Sequence, residues 1–167
     1  MSSKDVRRFP DPVLKQRTRE VGRVDEPVKR LIDELIIAMR RHKGCVGLAA
    51  PQIGSSLRVA VMDATGHPKV PQSRGLIVLV NPHIVSSDGA VIQREGCLSI
   101  PDFTANVRRA TAVHVAGFDQ FGSSQEWRLE GFEAIIAQHE VDHLDGMLFL
   151  DRAANLKTDV FRRKTYL

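Results

Sequence analysis

Apolar side chains recur at helical spacing through Val28, Leu31, Ile32, Leu35 and Met39, with charged and polar residues between them. That period predicts an amphipathic helix whose stripe faces a core. Asp25 suits its N-cap, Glu26 and Pro27 its first turn, and Gly44 its stop. The period then shortens to two. Residues 57–62 alternate Leu, Val and Val with Arg, Ala and Met; residues 76–80 are a short continuous apolar run; residues 111–118 read as a further strand. Residues 90–93 lead into a block around Cys97 that Ile100-Pro101 closes. Asp119-Gln120-Phe121-Gly122 forms a turn, with residues 127–129 on the hairpin partner. Helical spacing returns at Phe132, Ile135, Ile136, His139 and His143, closed by Gly146. With no linker, repeat or low-complexity block, residues 1–167 are expected to form one domain of α+β class. Its short, mainly antiparallel strands would pack around a central helix that carries both histidines.

That last helix holds Gln138-His139-Glu140-Val141-Asp142-His143, an HExxH signature. Residues four apart share a helical face, so His139 and His143 can grip one metal ion, with Glu140 placed to handle the proton of a water held there. Five residues with three fixed positions recur by chance, and the two histidines read equally well as ordinary helix residues. A downstream His in the extended form of the signature would fall on Phe149, and no Glu follows Glu140. Asp151 and Asp159 stay open as third ligands in a charged tail that reads as surface. Cys97 is the better candidate, because a thiolate and two imidazoles make a three-ligand set with one open position. Alone, Cys97 reads more simply as an inert buried thiol. A third segment, Gly44-Cys45-Val46-Gly47-Leu48-Ala49-Ala50-Pro51-Gln52-Ile53-Gly54, is rich in small residues that let backbone approach a ligand. Its single polar side chain, Gln52, could donate an amide N–H to a developing oxyanion or could simply be solvated.

Taken together, Gly47-Leu48-Ala49-Ala50-Pro51-Gln52, Glu95-Gly96-Cys97-Leu98-Ser99 and the HExxH block resemble the three signature blocks of the peptide deformylases, in the same order and at comparable spacing. The similarity runs from Arg8-Phe9-Pro10-Asp11 to about Leu150. It implies that Cys97, His139 and His143 are the metal ligands, Glu140 is the general acid/base, and Gln52 with the Leu98 N–H holds the oxyanion. It further implies an enzyme that removes the formyl group from formyl-methionyl nascent peptides and releases formate, with water at the metal as nucleophile. One divalent ion per chain is implied, natively Fe²⁺, with Zn²⁺, Ni²⁺ or Co²⁺ as substitutes. By the same resemblance Val46, Phe132 and Ile135 wall an apolar pocket for methionine, and Gly47 keeps it tight near the formyl group. Glu95 and Arg109 are candidates to orient a ligating imidazole, or else a surface ion pair. Two positions depart from the family pattern. Cys45 stands where a glycine is usual, and Thr104 stands near the place of an arginine that contacts the substrate backbone. The rival readings are a generic metallopeptidase and a catalytically silent metal- or ribosome-binding relative.

Composition narrows the setting. The hydrophobic content of 43% and charged content of 26% are those of an ordinary soluble globule. No apolar run is long enough to span a bilayer, and no apolar stretch follows the charged N-terminus, so a cytoplasmic protein is expected. Two cysteines make no disulfide framework and fit a reducing compartment. The net charge of +4 owes something to Arg162-Arg163-Lys164, which reads as a solvated end. Docking beside the ribosomal exit tunnel is the functional alternative for that tail; DNA and membrane partners are not expected.

Overall fold

The computed structural model describes residues 4–164. Helix α1 spans Glu26–Arg41 and is capped as its sequence suggests: the Asp25 carboxylate accepts the Val28 N–H at 3.1 Å, and Pro27 sits in the first turn. Its stripe from Val28 to Met39 is buried. Strands β1 (Gly47–Ala49), β2 (Val59–Asp63) and β3 (Leu76–Asp88) follow. Next come β4 (Val91–Cys97), β5 (Ile100–Arg109), β6 (Ala112–Phe118), β7 (Ser124–Glu130), helix α2 (Gly131–Leu144) and the short β8 (Val160–Arg162).

Two antiparallel sheets result, one in the order β1-β2-β3-β6-β7 and the other β4-β5-β8. The five-stranded sheet is covered on both faces. Leu48, Val59, Val61, Val78 and Val80 pack under α1, whereas Ala49, Ala60, Met62, Ile77 and Leu79 pack under α2. Double coverage explains why β2 is buried from Val59 to Met62 although its sequence alternates. The β4–β5 hairpin closes over the other side of α2, and Cys97, Ile100, Ala105 and Val107 join Leu148 and Phe149 in a third apolar cluster. Ten of the fourteen residues of α2 are buried, so the expected α+β class with a central HExxH-bearing helix is observed.

Some elements differ from the sequence reading. Ile100-Pro101 does not close the Cys97 block; it starts the ten-residue β5. β3 runs well past the apolar run at 76–80, through a bulge at Asn81, whose φ is 51°, and Pro82. Arg58, an apparently outward position, is only 3% exposed. Its guanidinium caps the C-terminal end of α2, donating to Asp145 Oδ1 at 2.7 Å and to the Leu144 carbonyl at 3.3 Å, with two further bonds to the Pro82 carbonyl. The charged tail is not simply solvated either: β8 pairs with β5, and Arg163 turns inward.

Candidate active site and metal centre

Helix α2 fixes three of the site residues, His139, Glu140 and His143, on its buried length. The fourth comes from the end of β4, where Leu98 and Ser99 form the two-residue turn into β5 and hold Cys97 against the helix. Cys97 Sγ lies 3.3 Å from His143 Nε2. One ligand atom each from Cys97, His139 and His143 can be chosen so that all lie within 4.8 Å of one another. Asp151 instead faces Lys15 and the Leu148 N–H, and Asp159 the Asn155 N–H, so neither aspartate joins this cluster.

The imidazole of His139 is oriented by Glu95, whose Oε1 sits 2.8 Å from Nδ1. An ionised carboxylate only accepts, so Nδ1 carries the proton and Nε2 is left for the cluster. Glu95 is 7% exposed and Arg109 4%, which rules out a surface ion pair. Burial alone would raise the Glu95 carboxyl, but hydrogen bonds from Arg109 and His139 outweigh it and hold it at about 2. Arg109 donates to both Glu95 oxygens at 2.7 and 2.8 Å and to Asp142 Oδ2 at 2.6 Å, and Arg152 closes on Asp142 from outside at 2.8 and 3.1 Å. The Cys97 thiol is likewise pulled two ways. Burial raises it, yet the positive field of His143 and hydrogen bonds from both imidazoles drive it well below its ordinary value, toward the thiolate a metal needs.

Glu140 lies beside this cluster with a different environment. Burial pushes its carboxyl up to about 7 despite the nearby imidazoles, and its Oε2 has no hydrogen-bond partner among the described residues. Gly47 makes room for it: a Cβ there would stand 2.6 Å from Glu140 Oε1. Gln52 is held by a short 3-10 turn, Ala50–Ile53, and is 1% exposed. Its Oε1 accepts the Ala49 N–H at 3.0 Å, and its Nε2 donates to Ser99 Oγ at 3.1 Å and toward Cys97 Sγ at 3.3 Å. Leu98, in the hairpin turn, lies outside the strand ladder, so its N–H is not tied to a strand partner.

These groups face a cleft of about 260 Å³. It is slightly smaller than the roughly 300–1,000 Å³ of sites that enclose drug-sized ligands, and suits a side chain plus a short length of backbone. Val46, Gly47, Phe132 and Ile135 all line it, as does Ile136. Cys45 also faces it, but its thiol donates to the Gly47 carbonyl at 3.2 Å, and burial with the nearby Glu140 charge pushes its pKa up to about 12.

Residues 3–159 match the profile of the polypeptide deformylase family. The chain belongs to the polypeptide deformylase family. The peptide deformylase of Thermodesulfovibrio yellowstonii is 39% identical over 164 residues, covering 98% of this chain and 97% of that one. The peptide deformylase structure from Thermotoga maritima superposes with a TM-score of 0.84 at 36% identity, over 93% of this chain and 100% of that chain. That of the class I type b peptide deformylase from Acinetobacter baumannii, solved with Met-Ala-Ser bound, gives 0.83 at 33% identity over 90% and 98%. These likenesses favour a deformylase over a generic metallopeptidase or a silent relative.

Several residues around this candidate site have supporting roles that the sequence motifs do not spell out. Asp142 falls among the variable positions of HExxH, yet it anchors Arg109 and Arg152. Its signals in the sequence are helical spacing, three residues after His139, and its place in the block Gln138–His143 that carries the family resemblance. Ser99 fixes Gln52 and also donates to the Arg7 carbonyl at 2.7 Å, tying the N-terminal segment beneath the site. His143 Nδ1 is buried without a partner among the described residues, so no hydrogen bond there matches the one Glu95 makes to His139.

Proposed function

We propose that this chain, as one catalytic domain, removes the N-terminal formyl group from formyl-methionyl nascent peptides and releases formate and a free amine. One observation carries the reading. A buried carboxylate with an unpartnered oxygen, Glu140, sits beside a thiolate and two imidazoles that converge on one point. The donor set fits a divalent ion held by Cys97, His139 and His143, and the orphaned Glu140 oxygen is the partner a reacting water would need. A divalent ion held there supplies Lewis acidity, which brings the pKa of water from 15.7 toward about 7. We take Fe²⁺ as the native ion, with Zn²⁺, Ni²⁺ or Co²⁺ able to replace it, since thiolate and imidazole suit all four. Anaerobic purification with elemental analysis and activity before and after air exposure tests the choice.

The remaining steps belong to the chain's own groups. Glu140 takes the proton from water as it attacks the formyl carbon and later hands it to the leaving amine nitrogen. The Gln52 N–H that points toward Cys97 and the Leu98 N–H hold the oxygen as it becomes anionic. Val46, Phe132 and Ile135 enclose the methionine side chain, and Gly47 limits what fits beside the formyl group. The cleft runs between β1 and β4, each the edge strand of its sheet, so an extended peptide can lie along unpaired backbone. The Met-Ala-Ser bound to the A. baumannii relative is a peptide of this kind and supports the reading.

No helix among the described residues is long and apolar enough to cross a membrane. We place the enzyme in the cytoplasm, where nascent chains emerge. Within the basic tail Arg163 faces the cleft, which leaves the exposed Arg162 and Lys164 for a ribosomal contact. The test is Glu140→Gln on formyl-Met-Ala-Ser. Free amine release should fall by about 100- to 10,000-fold with metal content unchanged. Undiminished turnover would sink the assignment.

A further inference from the structure

We infer that Arg163, on the C-terminal strand, is a substrate-binding residue that grips the backbone carbonyls of the peptide downstream of the formyl-methionine. The inference rests on the deformylase reading of the cleft and assigns that cleft a specificity-determining contact. Thr104 lacks the guanidinium that the sequence resemblance leads one to expect near its position. The structure brings another one to the same place. Thr104 pairs with Phe161 of β8, and the Arg163 N–H donates to the Asp102 carbonyl at 2.8 Å, so the residue after β8 is pinned beside β5. Side chains alternate along a strand, so Arg162 points out to solvent while Phe161 and Arg163 share the other face. Phe161 is itself anchored, with the Arg94 guanidinium stacked 3.6 Å from its ring centre.

The guanidinium of Arg163 lies against Gly96, next to Cys97. A Cβ at position 96 would collide with it, and the Thr104 methyl group lies on the same side. The absence of a side chain at Gly96 is therefore what lets Arg163 reach the wall of the cleft. Its Nε is buried and has no hydrogen-bond partner among the described residues, and no ion pair with a described carboxylate holds the head group. A half-buried guanidinium with unused donors, one residue along β4 from the reacting centre, is matched to oxygen acceptors. An extended peptide lying along β4 presents such acceptors as its carbonyls, and a short peptide adds its terminal carboxylate.

The test compares wild type, Arg163→Gln, Arg163→Lys and the exposed-neighbour control Arg162→Gln on formyl-Met-Ala-Ser and on formyl-methioninamide, which lacks the downstream peptide. Arg163→Gln should raise KM for the tripeptide about tenfold, more than it lowers kcat, with a smaller effect on the amide. Arg163→Lys should recover part of the loss, and Arg162→Gln should behave as wild type. Adding Thr104→Arg to Arg163→Gln should bring KM back toward the wild-type value. An unchanged KM in Arg163→Gln overturns the inference. So does a loss equal for both substrates, or one confined to kcat and metal content, since β8 would then act only as scaffold. If Arg163→Gln fails to fold, the Lys variant and the Thr104→Arg single variant, which should lower KM, carry the same decision. Wild-type protein that is metal-loaded yet inert on formyl-Met-Ala-Ser would instead remove the deformylase reading beneath it.

Discussion

Two carboxylates beside the same imidazole, that of His139, are driven in opposite directions. Glu95 is surrounded by donors and held near 2, whereas Glu140 is buried with little to bind and pushed to about 7. The first can only orient His139; the second can exchange a proton near neutral pH. That division depends on where the Glu140 carboxylate sits, and Gly47 decides this by leaving space. A methyl group at 47 would stand 2.6 Å from Oε1 and force the carboxylate aside. Gly47→Ala should therefore lower kcat by about 100-fold, the scale of an ångström-sized misplacement, while metal content stays full, because the three atoms nearest a methyl group at 47 all belong to Glu140. Steady-state kinetics with metal analysis checks this, and an unchanged kcat would mean that Glu140 is not held against that glycine.

At the scale of elements, the β4–β5 hairpin is bolted to α2 by charge. Glu95 and Arg109 come from the hairpin, His139 and Asp142 from the helix, and Arg152 from the turn that follows. Burial opposes each ionised group, so the bolt holds only while the carboxylates stay charged. The Glu95 pKa of about 2 lies below its ordinary 4.5. A depressed carboxyl contributes stability that is fully present above about 4.5 and is lost as pH falls from there through about 2. Denaturant unfolding of metal-free protein should thus show a steep acid limb in that window, and Glu95→Gln should flatten it. A limb of equal slope in the variant would exclude Glu95 as its source. Much of this architecture is legible in sequence, and the exceptions have physical causes. The caps and stripe of α1 and the HExxH face of α2 are local patterns. β5 is not, because Pro101, Asp102 and Asn106 read as loop until β4 and β8 pair on either side. Arg58 looks outward by alternation, yet it lies in the bend before β2, where the end of α2 and the Pro82 carbonyl take up its guanidinium. The candidate metal-centre side chains announce themselves by type; Arg152 and Arg163 act through long-range contacts that no short motif encodes.

For the whole molecule, the candidate metal centre joins parts that share few other covalent or backbone links. Cys97 belongs to the three-stranded sheet, and His139 and His143 to the helix that packs on the five-stranded one. An ion bound by all three stabilises only the assembled state, because in the unfolded chain Cys97 lies more than forty residues from either histidine. At ion concentrations 100 to 1,000 times the dissociation constant, linkage gives about 2.7–4.1 kcal/mol. For a chain of this size that corresponds to a rise of roughly 5–15 °C in Tm. Removing the ion with a chelator should lower Tm by that amount, and re-adding Fe²⁺ under anaerobic conditions or Ni²⁺ should restore it. The loss should concentrate where the ion acts: hydrogen exchange should speed most in β4, β5 and α2, and least in the β2–β3 centre that α1 covers. Cys97→Ser should show a low Tm already and respond little to chelator. A chelator-insensitive Tm in metal-loaded wild type, or a Cys97→Ser protein with full metal content, would break the ligand set on which both the chemistry and the closure of the hairpin over α2 depend.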